Sequence, residues 1–574
     1  MIIALALLLL GGAQNPVYAG ENLTETWSTW IGGHYSSFSD NPKKIGEYNL
    51  GEEEFLPEFT INYLGVGTDN IFRLDGQYYD DKNIKGAVTA KIGDRFSLSA
   101  RYRSLVHQEG QDLLTNFESR EWLGTVPGGK IITHEISDPN ADYNTHRQEI
   151  LSRIGVLLSE KHNVRLMASH RMIREQGTEQ GVSNSHCFSC HLVSETVAVQ
   201  NTTHALEAGL QADLKPELTV GYEFGYRYFQ SQAADAVAYY DPVVHPSNGG
   251  SGAEFGSRQV FGDSSLVYST LPTTEKINNK INVKARLGDN TKLATALGYN
   301  YTKNKNTLLQ SDAWYGSAQL ASVLSRRSRL LVKVTGLRQR TDDPFIDLPT
   351  YREGRPGLQT DFDYTRYSSL DRADGRGSVE LIHRLNPTLV LSGLIGFERV
   401  NRYDYPVLGD GTDSKTIIGR AGLRYRKGTK FSGWARYRFE KTADPFVSGK
   451  GMFEARGREA LSRVLPEGVT VFAFRSYWER EALRYQDITT APTQSHEFSL
   501  HGDLKASARL SLTGDLKITY DKNNDLDSLE VKQSSIQPSL ALMFAPNPQV
   551  AISAGYSLQA AKSRGPVAIA LFDG

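Results

Sequence analysis

Apolar and polar residues alternate over many short stretches of the chain. In Phe96 to Ser104, Phe96, Leu98, Ala100 and Tyr102 alternate with Ser97, Ser99, Arg101 and Arg103, the period-2 pattern of a strand with one apolar and one polar face. The same reading fits Val220-Tyr222-Phe224-Tyr226-Tyr228 and Ile281-Val283-Ala285-Leu287 against Asn282-Lys284-Arg286. It also fits Phe431-Gly433-Ala435-Tyr437-Phe439 against Arg436-Arg438-Glu440. Alternation alone does not separate a soluble sandwich from a membrane barrel; the connections do. Tight turns fall at Ser159-Glu160-Lys161-His162, Lys215-Pro216-Glu217, Gly288-Asp289-Asn290, Arg326-Arg327-Ser328, Asn386-Pro387-Thr388, Lys427-Gly428-Thr429 and Asn547-Pro548. Between them lie long polar stretches rich in Gly, Asp and Tyr, such as 231–273, 341–366 and 402–412. Short turns on one rim and long loops on the other are the pattern of an outer-membrane barrel, with the short turns facing the periplasm and the long loops extracellular. The pattern predicts an all-β fold, a large antiparallel transmembrane β-barrel of about 22–26 strands with a wide lumen.

Composition sharpens this picture. A chain of 574 residues would ordinarily suggest several domains, but one closed sheet can grow by adding hairpins. With 28 Tyr, 23 Phe and a mean hydropathy of -0.41, the chain is too polar for helical membrane spans. Lys and Arg number 64 against 65 Asp and Glu, so no overall field points to nucleic acid. Arg101, Arg103, Lys284, Arg286, Arg436 and Arg438 fall on the polar faces and could line an anion path, although Glu223 and Glu440 share those faces.

Ile2 to Leu10 is an unbroken apolar run, followed by Gly11, Gly12, Pro16 and the small residues Val17 and Ala19. This predicts a secretory signal peptide over 1–19, with the barrel occupying 20–574 in the bacterial outer membrane. The first basic residue is Lys43, so the usual charged leader segment is missing and a start upstream of Met1 is expected; Asp573 and Gly574 after Phe572 suggest clipping at the other end as well. Phosphate-binding loops, dinucleotide fingerprints and nucleophile elbows are absent from the sequence. The acid pairs Asp80-Asp81 and Asp342-Asp343 stand at strand-to-loop junctions, where Asp serves turns, so no enzyme activity is expected.

The two cysteines lie together in Cys187-Phe188-Ser189-Cys190-His191. This is the attachment pattern of a c-type haem: Cys187 and Cys190 would form the thioethers and His191 would be the proximal iron ligand. His170, His186, His204 and Met172 are candidates for the distal position. The same pair could instead close as a structural or redox disulfide in an oxidising compartment, leaving no cofactor, or supply half of a metal site. The motif is expected in a loop over 176–197, on the long-loop rim.

A large, tyrosine-rich barrel carrying Cys187 and Cys190 resembles the porin sleeve of porin–cytochrome electron conduits, the MtrB/PioB-type decahaem-associated barrels. That resemblance implies a sleeve around a multihaem c-type cytochrome, periplasmic and at times joined by a second at the cell surface, serving electron transfer to extracellular acceptors. It also implies contact with outer-membrane lipid and lipopolysaccharide. The alternative is a diffusion porin or substrate transporter in which the cysteine pair is a loop disulfide.

Overall fold

The computed structural model describes residues 24–35, 47–48, 55–113, 132–187, 190–240, 264–346, 351–352, 359–360, 364–365, 370–403, 413–445, 491–523, 531–547 and 549–565. The expected signal peptide lies outside these residues, as do large parts of the long polar stretches.

Strands stand where the alternating stretches stand. The first ten are β1 (Thr24–Tyr35), β2 (Phe55–Val66), β3 (Asn70–Tyr78), β4 (Ile84–Ile92), β5 (Phe96–Glu109), β6 (Ile132–Ile136), β7 (Tyr143–Ser159), β8 (Val164–Cys187), β9 (Cys190–Lys215) and β10 (Leu218–Ser231). Next come β11 (Ala236–Tyr240), β12 (Ser264–Ser269), β13 (Thr274–Arg286), β14 (Thr291–Asn304), β15 (Gln310–Val323) and β16 (Ser328–Thr341). Four two-residue pieces follow: β17 (Phe345–Ile346), β18 (Tyr351–Arg352), β19 (Gln359–Thr360) and β20 (Tyr364–Thr365). The last nine are β21 (Arg372–Asn386), β22 (Leu389–Asn401), β23 (Asp413–Lys427), β24 (Phe431–Ala443), β25 (Gln494–Lys505), β26 (Leu510–Asn523), β27 (Val531–Asn547), β28 (Val550–Ser557) and β29 (Ala560–Arg564).

One sheet joins 23 of these segments. Both β28 and β29 pair with β27 and form one interrupted strand, so the sheet counts 22 strands, within the expected range, of which β6 lies beside the start of β9 and outside the succession from β5 to β7. Its pairing is antiparallel throughout except for the short β6, which runs parallel to the start of β9. Among the described residues β1 pairs with β2 alone, and no pairing joins it to β28 or β29. The expected tight turns all join consecutive strands, and further short turns at 67–69, 93–95 and 506–509 complete that rim. Gly288 and Gly428 hold φ of 77° and 58° there, a conformation glycine reaches without a Cβ penalty.

The two faces of the sheet differ sharply. Register partners share a face, and one face carries the row Leu166, Leu210, Tyr222, Ile281 and Leu297 across five strands. Farther round, Val332, Val379 and Ile395 continue the same belt. Ile395 is 75% exposed and Tyr222, Leu297, Trp314 and Phe397 are also exposed, whereas few apolar residues are buried, Val88, Val106 and Tyr143 among them. Apolar exposure on this scale far exceeds the few hundred Å² that a water-soluble surface tolerates, and hydrocarbon is the solvent that suits it. Between neighbouring strands the ladders satisfy the backbone groups that lipid could not. The chain is therefore an outer-membrane β-barrel, with its apolar belt facing lipid and its polar face turned inward.

The expected loop at 176–197 is a different structure. β8 and β9 are the longest strands, 24 and 26 residues, and they pair with each other as far as Cys187 and Cys190. The pairing of β8 with β7 stops at Gly177, and that of β9 with β10 stops at Asn201. Beyond those points the two strands leave the wall as a projecting arm. Its β-branched Val193, Thr196, Val197 and Val199 suit an extended backbone, and Gln180 braces it by exchanging 2.8 Å hydrogen bonds with the backbone of Asp112.

Candidate functional site in the barrel lumen

The polar face of the wall borders an open cavity of about 1610 Å³, lined by residues from β4, β5, β7 to β10, β13 and β15. Its charged groups occupy the positions that strand alternation assigns away from the lipid belt. Each acid there is engaged. Glu149 accepts from Arg171 Nε at 2.8 Å and lies 3.8 Å from Arg147, which itself pairs with Glu175. Glu223 holds Lys280 at 3.2 Å and accepts from Asn282 at 2.7 Å, while Glu207 accepts from the Ser169 hydroxyl at 3.0 Å. Arg101, Arg153, Arg227 and Lys276 line the same cavity and form no ion pair among the described residues.

Register gathers most of these cations at one level. Arg101 faces Leu151, Leu151 faces Arg171, Arg171 faces Ala205, Ala205 faces Arg227, and Arg227 faces Lys276. Neighbouring strands lie about 4.8 Å apart, so Arg171 roots roughly 10 Å from Arg101 on one side and roughly 10 Å from Arg227 on the other, Arg101 and Arg227 stand about 19 Å apart, and Arg227 and Lys276 about 5 Å. No carboxylate stands in this row. Two like charges about 6 Å apart repel by about 0.7 kcal/mol even in bulk water, and by more beside a low-dielectric wall. Lys85 faces Arg103 and Arg286 faces Lys292 in the same way. Arg420 and Arg438 also face each other, but each has an acid: Glu380 lies 2.7 Å from Arg420, and Glu440 pairs with Arg438. Since the whole chain carries a net charge of -1, the cationic row is a matter of placement and not of composition. A smaller recess of about 430 Å³ near the short-turn rim collects Lys284, Arg286 and Lys292 around Glu217.

The inward residues expected from the sequence, Arg101, Arg103, Lys284, Arg286, Arg436 and Arg438, all share the polar face with Glu223 and Glu440. Arg171, Arg227 and Lys276 were not singled out. Their alternation with apolar neighbours was visible, but their alignment depends on register between strands as much as 175 positions apart, from Arg101 to Lys276.

The cysteine motif is only partly described. Cys187 ends β8, Cys190 begins β9, and the two are register partners. The side chains of His186, Cys187, Cys190 and His191 lie outside the described residues. The distal ligands expected at His170, Met172 and His204 are corrected by the strand geometry: at about 3.3 Å per residue they stand roughly 45–55 Å along β8 and β9 from the motif. His170 and His204 instead approach each other at 3.3 Å with stacked rings on the belt face, beside Leu206 and Met172. Of the acid pairs, Asp80 is fully buried and accepts from the backbone of Lys82 and Asn83 at 2.8 and 2.6 Å, closing the turn after β3. Asp342 accepts from the Gln310 backbone at 2.9 Å.

No protein-family model matches the chain. No curated protein matches it in sequence. Solved structures do align with it. The FrpB iron transporter from Neisseria meningitidis is 10% identical, with 92% of this chain and 74% of that one covered and a TM-score of 0.44. The siderophore receptor PiuA from Acinetobacter baumannii is 9% identical, with coverage of 93% and 77% and a TM-score of 0.44. A mutant of the ferric enterobactin receptor PfeA from Pseudomonas aeruginosa is 9% identical, with coverage of 93% and 74% and a TM-score of 0.46. The expected function as a cytochrome-housing sleeve is corrected here: the structures with which the chain aligns are named as transporters and receptors, and none is a cytochrome sleeve.

Proposed function

We propose that the chain is an outer-membrane channel or transporter that carries hydrophilic solutes through its lumen. The observation that carries this reading is the sorting of the two faces. An apolar belt runs outside, and a charged wall bordering an open cavity of about 1610 Å³ lies inside. Buried salt bridges would be costly in a dry interior, whereas Arg101, Arg171, Arg227 and Lys276 are exposed on a wall that water can wet. Passage of a polar solute then requires no dehydration against hydrocarbon, and the wall charges set which solutes are favoured.

The test is solute uptake. Liposomes containing the purified chain should swell in isotonic solutions of small sugars and organic anions, at rates that fall with solute size. Liposomes that hold folded protein in the membrane yet swell no faster than empty ones would count against the reading.

A further inference from the structure

We propose that the row Arg101, Arg171, Arg227 and Lys276 is a binding site for a polyanionic solute, one bearing two or more phosphate or carboxylate groups. This rests on the transport reading and names the solute class it would favour.

Three observations converge on the row. First, Arg227 and Lys276 are direct register partners with no counter-ion among the described residues. Like charges opposite each other weaken a sheet, and an oxyanion between them turns that repulsion into two attractions. Second, the positions between the arginines are Leu151 and Ala205, which compete for no guanidinium hydrogen bond. Arg101 and Arg227 therefore keep their donor forks open toward the cavity, and the planar fork matches the paired oxygens of phosphate or carboxylate. Arg171 gives its Nε to Glu149 and retains its remaining donors, the acid fixing its direction. Third, the spacing selects for charge number. Side chains rooted roughly 10 Å apart can converge on one elongated ligand, whereas a monovalent ion meets the Arg227–Lys276 pair alone.

The nearby carboxylates do not neutralise this level of the wall. Glu149 is paired with Arg171, Glu175 with Arg147 and Glu223 with Lys280, while Glu207 accepts from the Ser169 hydroxyl and keeps its charge, so the seven cations that line the cavity outnumber its four carboxylates. The field over the cavity is thus positive where the solute would lie, and low-dielectric walls focus it.

The test is calorimetric titration of the detergent-purified chain with tripolyphosphate and, separately, orthophosphate, in a buffer free of both. Tripolyphosphate should bind at least tenfold more tightly than orthophosphate and weaken as sodium chloride is raised. The Arg227→Gln/Lys276→Gln double variant should lose at least tenfold in tripolyphosphate affinity while its unfolding midpoint stays level or rises, because a repulsion has been removed. Lys333→Gln, on the lumen face but outside this cavity, should change affinity less than twofold. If the double variant folds poorly, Arg101→Gln at the other end of the row decides: a threefold or greater loss supports the site, and unchanged affinity overturns it. Absent binding by the native chain, equal affinity in the double variant, or an equal loss in Lys333→Gln would also overturn it. Swelling without polyanion binding would remove this site and leave transport standing; binding without swelling would remove transport and leave the site.

Discussion

At the residue scale, the side a residue faces decides what it can be. Ile395 lies near the middle of β22, fully in the belt, so Ile395→Arg should destabilise the barrel in lipid by about 2–4 kcal/mol, the cost of a cation at the bilayer midplane. Urea titration of the chain folded into vesicles would measure this, and an unchanged midpoint would place Ile395 away from lipid. In Leu389 to Asn401 the alternation is blurred by Val390, Leu394 and Val400, so the exposed face to which Ile395 belongs needed the ladder. Cys187 and Cys190 were legible as a pair and not as a chemistry. Their backbones are now register partners, and partners about 4.5–5.5 Å apart fall within the span a disulfide bridges. Chain purified without reductant should take up no N-ethylmaleimide until it is reduced, as read by intact mass. Two adducts before reduction, or a haem-stained band at the mass of the chain that vanishes in Cys187→Ala, would contradict a disulfide.

At the element scale, the reading of turns succeeded and the reading of one loop failed, for related reasons. Asn-Pro at 386–387 and Gly288 announce a reversal through their own backbone preferences. The stretch 176–197 contains polar residues and a cysteine motif, and polarity resembles a loop until cross-strand pairing extends β8 and β9 through it. Gly177, at φ 153°, marks the departure from β7, where an added Cβ would collide with the Asn144 carbonyl oxygen. Since neither β7 nor β10 pairs with the arm, replacing residues 179–199 by Asn-Gly should leave a folded barrel. Heat-modifiable migration on a denaturing gel reports this, and loss of the fast-migrating folded form would make the arm part of the wall's stability.

At the scale of the whole molecule, the sequence supplied the class of fold because two simple regularities, period-2 alternation and turns of two lengths, recur along it. The lumen was not legible to the same depth. Arg101 could be assigned to a polar face, but Arg227 and Lys276 became neighbours only when β10 and β13 paired across the long connection between them. Function was least legible, because a two-cysteine motif pointed to electrons while the wall that dominates the structure is built for charge and water. The measurement that tests the account most directly is the current through the purified chain in a planar lipid bilayer under a potassium chloride gradient. Stepwise conductance with a reversal potential of the sign for anion preference, reduced in the Arg227→Gln/Lys276→Gln variant, is the result expected. An electrically silent barrel, or one that favours cations, would contradict it.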